Sequence, residues 1–335
     1  MKVAILSPVA WRTPPVHYGP WEQMASNLAE ELVKLGVDVT LFATGDSLTS
    51  GKLNSVVQQG YETKKGQDAK VLECLHISNL MEHANEFDII HNHFDFLPLS
   101  YSKLIKTPMI TTIHGFSSEA IIPVYQKYNN NTHYVSISNS DRNEKLKYLA
   151  TVYNGLNTSD FTLNKKPQEY LLFFGRIHPH KGTSEAIAIA KKTNRKLIIA
   201  GIIQDENYFK NEVEPHLNTQ IQFIGHAGPE KRNELMGNAA ALLHPISFDE
   251  PFGLSVAEAM MCGTPVIAFN RGSMPELIEN GVTGFLVGDT NEASKAVQEL
   301  GSINRSHCSD NAKQKFSSKT MATKYLALYN QILIK

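Results

Sequence analysis

Two stretches of this chain combine residue types that can hold a phosphorylated, hydroxyl-rich substrate. The first is Gly175-Arg176-Ile177-His178-Pro179-His180-Lys181-Gly182, in which two cations stand five residues apart across a proline-containing turn. Arg176 offers a bidentate fork and Lys181 a point charge, so the pair can converge on one diphosphate; the competing reading is two solvated surface charges. The second stretch is His244 to Glu258, HPISFDEPFGLSVAE. A helix beginning near residue 252 and ending at Gly263, with Pro265 beyond it, presents unbonded amides and the positive end of its dipole. The N–H groups of Phe252, Gly253, Leu254 and Ser255 therefore form a candidate anion site. Glu258 follows one turn after Leu254 on a helix otherwise built of Leu, Val, Ala and Met. A carboxylate on such a face needs a partner, either ribose or sugar hydroxyls that donate to it or an Arg or Lys elsewhere in the same domain.

The first half of the chain offers fewer such residues. His114 closes the apolar run MITTIH ahead of Gly115, where an imidazole serves as base or donor near neutral pH or simply as structure. His91 and His93 form an HxH pair followed by Asp95, and strand alternation puts both rings on one face. No third ligand clusters with them in the sequence, so a metal site is the weaker reading and none is assigned. The opening loop, SPVAWRTPPVHYGPWE, lacks the GxGxxG of a dinucleotide fold, which weighs against a nicotinamide-dependent oxidoreductase. It does contain Tyr18-Gly19-Pro20-Trp21-Glu22, a tight turn into a helix N-terminus whose amides would face an anion.

These residues need strand ends to hold them. Apolar runs at Val3 to Leu6, Val39 to Ala43, Asp88 to His91, Met109 to Ile113 and Tyr134 to Ile137 alternate with helix-compatible segments. After the polar stretch NGLNTSDFTLNKK the alternation restarts, with runs at Leu171 to Phe174, Leu197 to Ala200, Gln222 to Ile224, Ala241 to His244 and Pro265 to Ala268. Such alternation predicts an α/β protein with parallel sheets covered on both faces. The expected organisation is an N-terminal domain over 1–155, a second over 156–310, and a helix over 311–335 that packs back across the first. Three runs of the second half lead to Gly175, Gly201 and Gly225, where backbone can approach a ligand at the carboxyl ends of the strands. Two such domains are expected to face one another across a cleft, the natural place for a two-substrate reaction.

Length and composition agree. At 335 residues the chain has room for two cores of ordinary size. Lys+Arg 32 against Asp+Glu 33 leaves a net charge of −1, no general field for nucleic acid or anionic lipid. Cys74, Cys262 and Cys308 are scattered without a CxxC, and the first apolar run breaks at Ser7-Pro8. The expectation is a cytoplasmic protein with reduced thiols and no transmembrane segment.

The residues gathered so far resemble the retaining glycosyltransferases of family 4, which have the GT-B fold. The resemblance is strongest in GRIHPHKG and in the block from His244 to Val287, including EPFGLSVAEAMMCGTPVIA, GSMPELI and NGVTGFLV. It extends more loosely through KVAILSP, the YGPWE turn, DIIHNHF, TTIHG and VYNGLN. It implies that Arg176 and Lys181 bind the donor diphosphate, Glu258 the ribose, and Glu250 hydroxyls of the transferred sugar. It further implies that His114 lines the reaction centre, that amides of Phe252, Gly253 and Leu254 meet sugar and phosphate, and that no metal or other cofactor is needed. Gly19 would contribute to the donor site, although Pro20 stands where the family usually has a second glycine and removes one N–H. Backbone near Ile202 and Gly225 would take the base. The implied activity is transfer of a hexose, with UDP-glucose favoured as donor, to an acceptor hydroxyl chosen by the loops Ser47 to Gln67 and Phe116 to Asn131. The alternatives are the oxidoreductase and a non-catalytic two-domain sugar or nucleotide binder.

Overall fold

Val3, Ala4, Ile5 and Leu6 are completely buried, and they divide between two cores: Val3 and Ile5 join one, Ala4 and Leu6 the other. A strand whose successive side chains point to opposite faces can do this only inside a sheet covered on both sides. The computed structural model of the protein describes residues 1–64, 66–116 and 118–334. Lys65 and Ser117, which fall in the two loops expected to choose an acceptor, and Lys335 lie outside the described residues.

The chain divides into two units, Met1–Leu156 with Ser318–Lys335, and Asn157–Ser317. The first holds β1 (Lys2–Leu6), β2 (Asp38–Phe42), β3 (Lys52–Asn54), β4 (Ile89–Asn92), β5 (Met109–Ile113), β6 (His133–Ser136) and β7 (Tyr148–Thr151). These form one parallel sheet in the order β3-β2-β1-β4-β5-β6-β7. The second unit holds β8 (Leu171–Phe174), β9 (Leu197–Ala200), β10 (Ile221–Phe223), β11 (Ala241–His244), β12 (Val266–Phe269) and β13 (Gly284–Val287). They are again all parallel, ordered β10-β9-β8-β11-β12-β13. In each sheet the order reverses beside the first strand, at β1/β4 and β8/β11, the switch point where such folds open a crevice at the strand ends. Both units are Rossmann-like.

The C-terminal segment departs from the expected single helix from Asn311. It is two helices, Arg305–Phe316 and Ser318–Leu333, which separate at Ser317. The first belongs to the second unit, where Phe316 meets Phe252 edge-on at 5.7 Å. The second returns to the first unit, and the Ser318 amide donates to the Leu156 carbonyl at 2.8 Å. Its residues Met321, Ala322, Tyr325, Tyr329 and Ile332 recur every three or four positions and enter the same core as Val3, Ile5, Leu28 and Leu32. Among the described residues no helix is long and apolar enough to cross a membrane. Cys74, Cys262 and Cys308 are free thiols.

Candidate active site

The loop after β8 is built around glycines. Gly201 has φ 154, and a Cβ on it would come within 1.7 Å of the Gly175 carbonyl, so the ends of β8 and β9 pack backbone to backbone. Gly182 at φ 76 sits against the Pro245 carbonyl, where a Cβ would lie at 2.0 Å, and it starts the helix Thr183–Thr193. Gly175, Gly182 and Gly201 thus lock the strand ends together. Gly225 differs: it has φ 72, its carbonyl accepts from the Gly201 amide at 2.9 Å, and a Cβ there would meet nothing within 4 Å.

Between these glycines the loop carries its cations. Lys181 Nζ lies 2.6 Å from Glu250 Oε1 and 4.8 Å from the centre of the Phe248 ring. The other carboxylate oxygen, Oε2, accepts from His244 Nε2 at 2.8 Å. Because an ionised carboxylate only accepts, His244 carries its proton on Nε2. Burial alone would push the Glu250 pKa up; His244 and Lys181 outweigh burial and hold it at about 2. Arg176 is exposed and donates through Nη1 to Gln204 Oε1 at 2.8 Å. The two cations therefore do not share one partner: each is held by its own side chain.

The low Glu250 pKa has a measurable result. The folded protein binds fewer protons at this site than the unfolded chain, so the pairing contributes stability above about pH 4.5 that is lost as pH falls toward 2. The shift corresponds to about 3 kcal/mol. Glu250→Gln should be less stable at neutral pH yet lose less between pH 4.5 and 2, which denaturant titrations at each pH will show.

The helix expected near residue 252 begins at Leu254 and runs to Met261, because Gly253 takes the left-handed φ of 90 and caps it without a side chain. Gly253 and Val256 start the first turn, where Val256 and Ala257 amides donate to the Gly253 carbonyl. The amides of Gly253, Leu254 and Ser255 find no partner among the described residues, which leaves three donors at the positive helix end. Phe252 is buried, and its carbonyl accepts from Ser273 Oγ at 2.7 Å. Glu258 is 6% exposed and pairs with Arg232 Nη1 at 2.9 Å. Burial raises its pKa against the pull of Arg232. Of its two possible partners, the structure supplies the cation. Arg232 stands outside both candidate stretches of the sequence, and the part played by His244 becomes visible only through its contact with Glu250.

With this geometry in view, the pattern of the glycosyl transferases group 1 family matches residues 156–315, and that of glycosyltransferase family 4 matches residues 22–160. An uncharacterised glycosyltransferase of Methanocaldococcus jannaschii is 30% identical, aligned over 66% of this chain and 67% of its own length. A second glycosyltransferase of that organism is 25% identical over 88% of this chain and 87% of its own length. The chain belongs to the group 1, family 4 glycosyltransferases. The Anabaena protein HepE, solved with UDP and glucose, has the same GT-B fold, with a TM-score of 0.73 and 19% identity over 99% of this chain and 100% of its own.

In this glycosyltransferase the first unit holds His114 at the end of β5. The ring is buried, stacks on Trp21 at 5.6 Å, and its Nε2 lies 2.9 Å from His93 Nδ1. His93 in turn lies against His91, the rings tilted by 36° with centroids 4.2 Å apart. His91 bonds Tyr329 Oη through Nδ1 and Thr112 Oγ1 through Nε2, and Tyr325 completes the network at Thr112. Burial lowers the His114 pKa to about 3, so the glycosyltransferase keeps this ring neutral at physiological pH. The HxH pair is thus tied into aromatic and hydroxyl partners; among the described residues no group of three or more His, Cys, Asp or Glu is set to hold a metal ion. Gly19 precedes the helix Pro20–Lys34 with φ 152.

Proposed function

We propose that this glycosyltransferase moves a hexose from a nucleotide sugar to an acceptor hydroxyl with retention of anomeric configuration, UDP-glucose being the favoured donor. The observation that carries the reading is the largely buried Lys181–Glu250–His244 chain, whose Glu250 stands a few residues before the amides of Gly253, Leu254 and Ser255, which find no partner among the described residues. A leaving diphosphate gains negative charge as the glycosidic bond breaks, and a cation plus a helix N-terminus stabilise such charge where it develops. Arg176 would trade Gln204 for phosphate oxygens, and Lys181 would hold phosphate while still orienting Glu250. Glu250, ionised and fixed on two sides, would accept from hydroxyls of the transferred sugar. Glu258, bonded to Arg232 through Oε1, has a second oxygen for the ribose. His114, held neutral, would line the reaction centre as a hydrogen-bonding group that carries no charge. The complexes of HepE with UDP and with UDP-glucose support the choice of donor by analogy.

Because the site supplies its own cations, no divalent ion is required for the leaving group. NMR of a UDP-glucose incubation in excess EDTA tests both points. The expected outcome is release of UDP with the sugar first appearing in the α configuration. A β product, or activity that EDTA abolishes and Mn²⁺ restores, would defeat the reading.

A further inference from the structure

A concavity of about 500 Å³ opens in the first unit, lined by residues between Pro8 and Leu97. That size is within the ~300–1,000 Å³ of small-molecule sites. Among the described residues its wall carries three carboxylates, Glu22, Glu73 and Asp95, and no Lys, Arg or His. The remaining wall is largely aromatic, with Trp11, Tyr18, Trp21 and Tyr61 among the rings.

Glu22 is the least expected of these groups. It is 3% exposed, and the Trp11 amide donates to its Oε1 at 3.3 Å. The backbone amide of Glu22 itself also bonds this carboxylate, and Oε2 stands against Gly19, where a Cβ would come within 2.9 Å. Gly19 is therefore the residue that leaves this oxygen room. Glu73 accepts from Tyr61 Oη at 3.0 Å, and Asp95 accepts from Tyr125 Oη. None of the three carboxylates is in an ion pair among the described residues. Burial raises all three pKa values, that of Glu22 to about 7.

One buried and two half-buried carboxylates with spare lone pairs and no paired cation favour a ligand that brings donors. Hydroxyl and ammonium groups supply them. A phosphate or carboxylate brings mostly acceptors and a negative charge, which the ionised carboxylates of this wall repel. Aromatic faces meanwhile cover the apolar face of a ring whose polar groups point elsewhere. We propose that this concavity is the acceptor subsite and that it takes a polyhydroxylated ring without anionic groups, an uncharged sugar or an aminosugar, while rejecting phosphorylated ones. The proposal rests on the transferase reading for the word acceptor, but not for the binding itself.

Trp11 and Trp21 are the two tryptophans of the whole chain, so intrinsic fluorescence reports on this concavity directly. The full chain is titrated, without donor, with methyl α-glucoside, glucosamine and glucose 6-phosphate. Saturable emission changes are expected with the first two, in either order of affinity, and binding at least tenfold weaker with the third. Glu22→Gln should narrow that gap, and Glu73→Gln, at a half-buried position, gives the same test should Glu22→Gln not fold. Glucose 6-phosphate binding as tightly as methyl α-glucoside, no emission change with either unphosphorylated sugar, or a gap unchanged in both variants overturns the proposal. Saturable sugar binding without transfer from any nucleotide sugar would defeat the transferase reading and leave the site. Transfer to phosphorylated acceptors alone would do the reverse.

Discussion

Removal of residues 318–335 is expected to unfold the first unit. Tyr325 and Tyr329 are 1% and 0% exposed, and their hydroxyls satisfy Thr112 and His91 deep in the sheet. Truncating one large core aromatic to Ala costs roughly 3–5 kcal/mol. The helix contributes five core residues, Met321, Ala322, Tyr325, Tyr329 and Ile332, so its loss is comparable to the whole ~5–15 kcal/mol that holds an ordinary domain together. It would also expose His91 and Thr112 from one side. Amide hydrogen exchange should show protection lost in β1 and β4 and retained in β8 and β11. Protection unchanged in β1 would mean that the helix is dispensable to the core.

The second large effect is kinetic. Lys181→Ala should lower kcat as well as donor affinity, by on the order of ten- to a thousand-fold, since a cation aimed at developing charge acts more strongly in the transition state than in the ground state. The structure adds a second consequence: the substitution leaves Glu250 with His244 as its remaining partner and so loosens the group proposed to hold the sugar. Arg176→Ala should do less, because Arg176 is exposed and its Gln204 contact is replaceable. The double variant should be less than additive if both cations serve one anion. Steady-state kinetics on protein of confirmed fold will separate these outcomes; an unchanged kcat in both single variants would mark the two side chains as surface charges.

Much of this could be read from residue order, for reasons that are local. Buried parallel strands appear as apolar runs, and the GRIHPHKG and EPFGLSVAE segments keep their chemistry within a few positions of one another. What escaped depends on distance or on weak patterns. β7 is half-buried along its whole length at the edge of its sheet, and β13 is a four-residue strand that opens on a glycine and buries its two ends alone, so neither stands out as a buried run. The break at Ser317 has no Pro or Gly to announce it. The helix starts at 254 rather than 252 because Gly253 caps by adopting a left-handed backbone, while Pro251 is the usual signal two positions earlier. The partners of Glu250 and Glu258 are set by tertiary packing: Lys181 lies 69 residues from Glu250 along the chain, and no spacing rule reaches that far.

The central claim is that the loop after β8 and the start of the helix Leu254–Met261 bind a nucleoside diphosphate through the protein's own cations and amides. Calorimetric titration of UDP into the wild-type protein and the Lys181→Ala variant, with excess EDTA present, tests it most directly. Saturable binding by the wild type and binding at least tenfold weaker in the variant are the expected results. UDP affinity unchanged by the substitution, or binding that appears only when Mn²⁺ replaces EDTA, would contradict it.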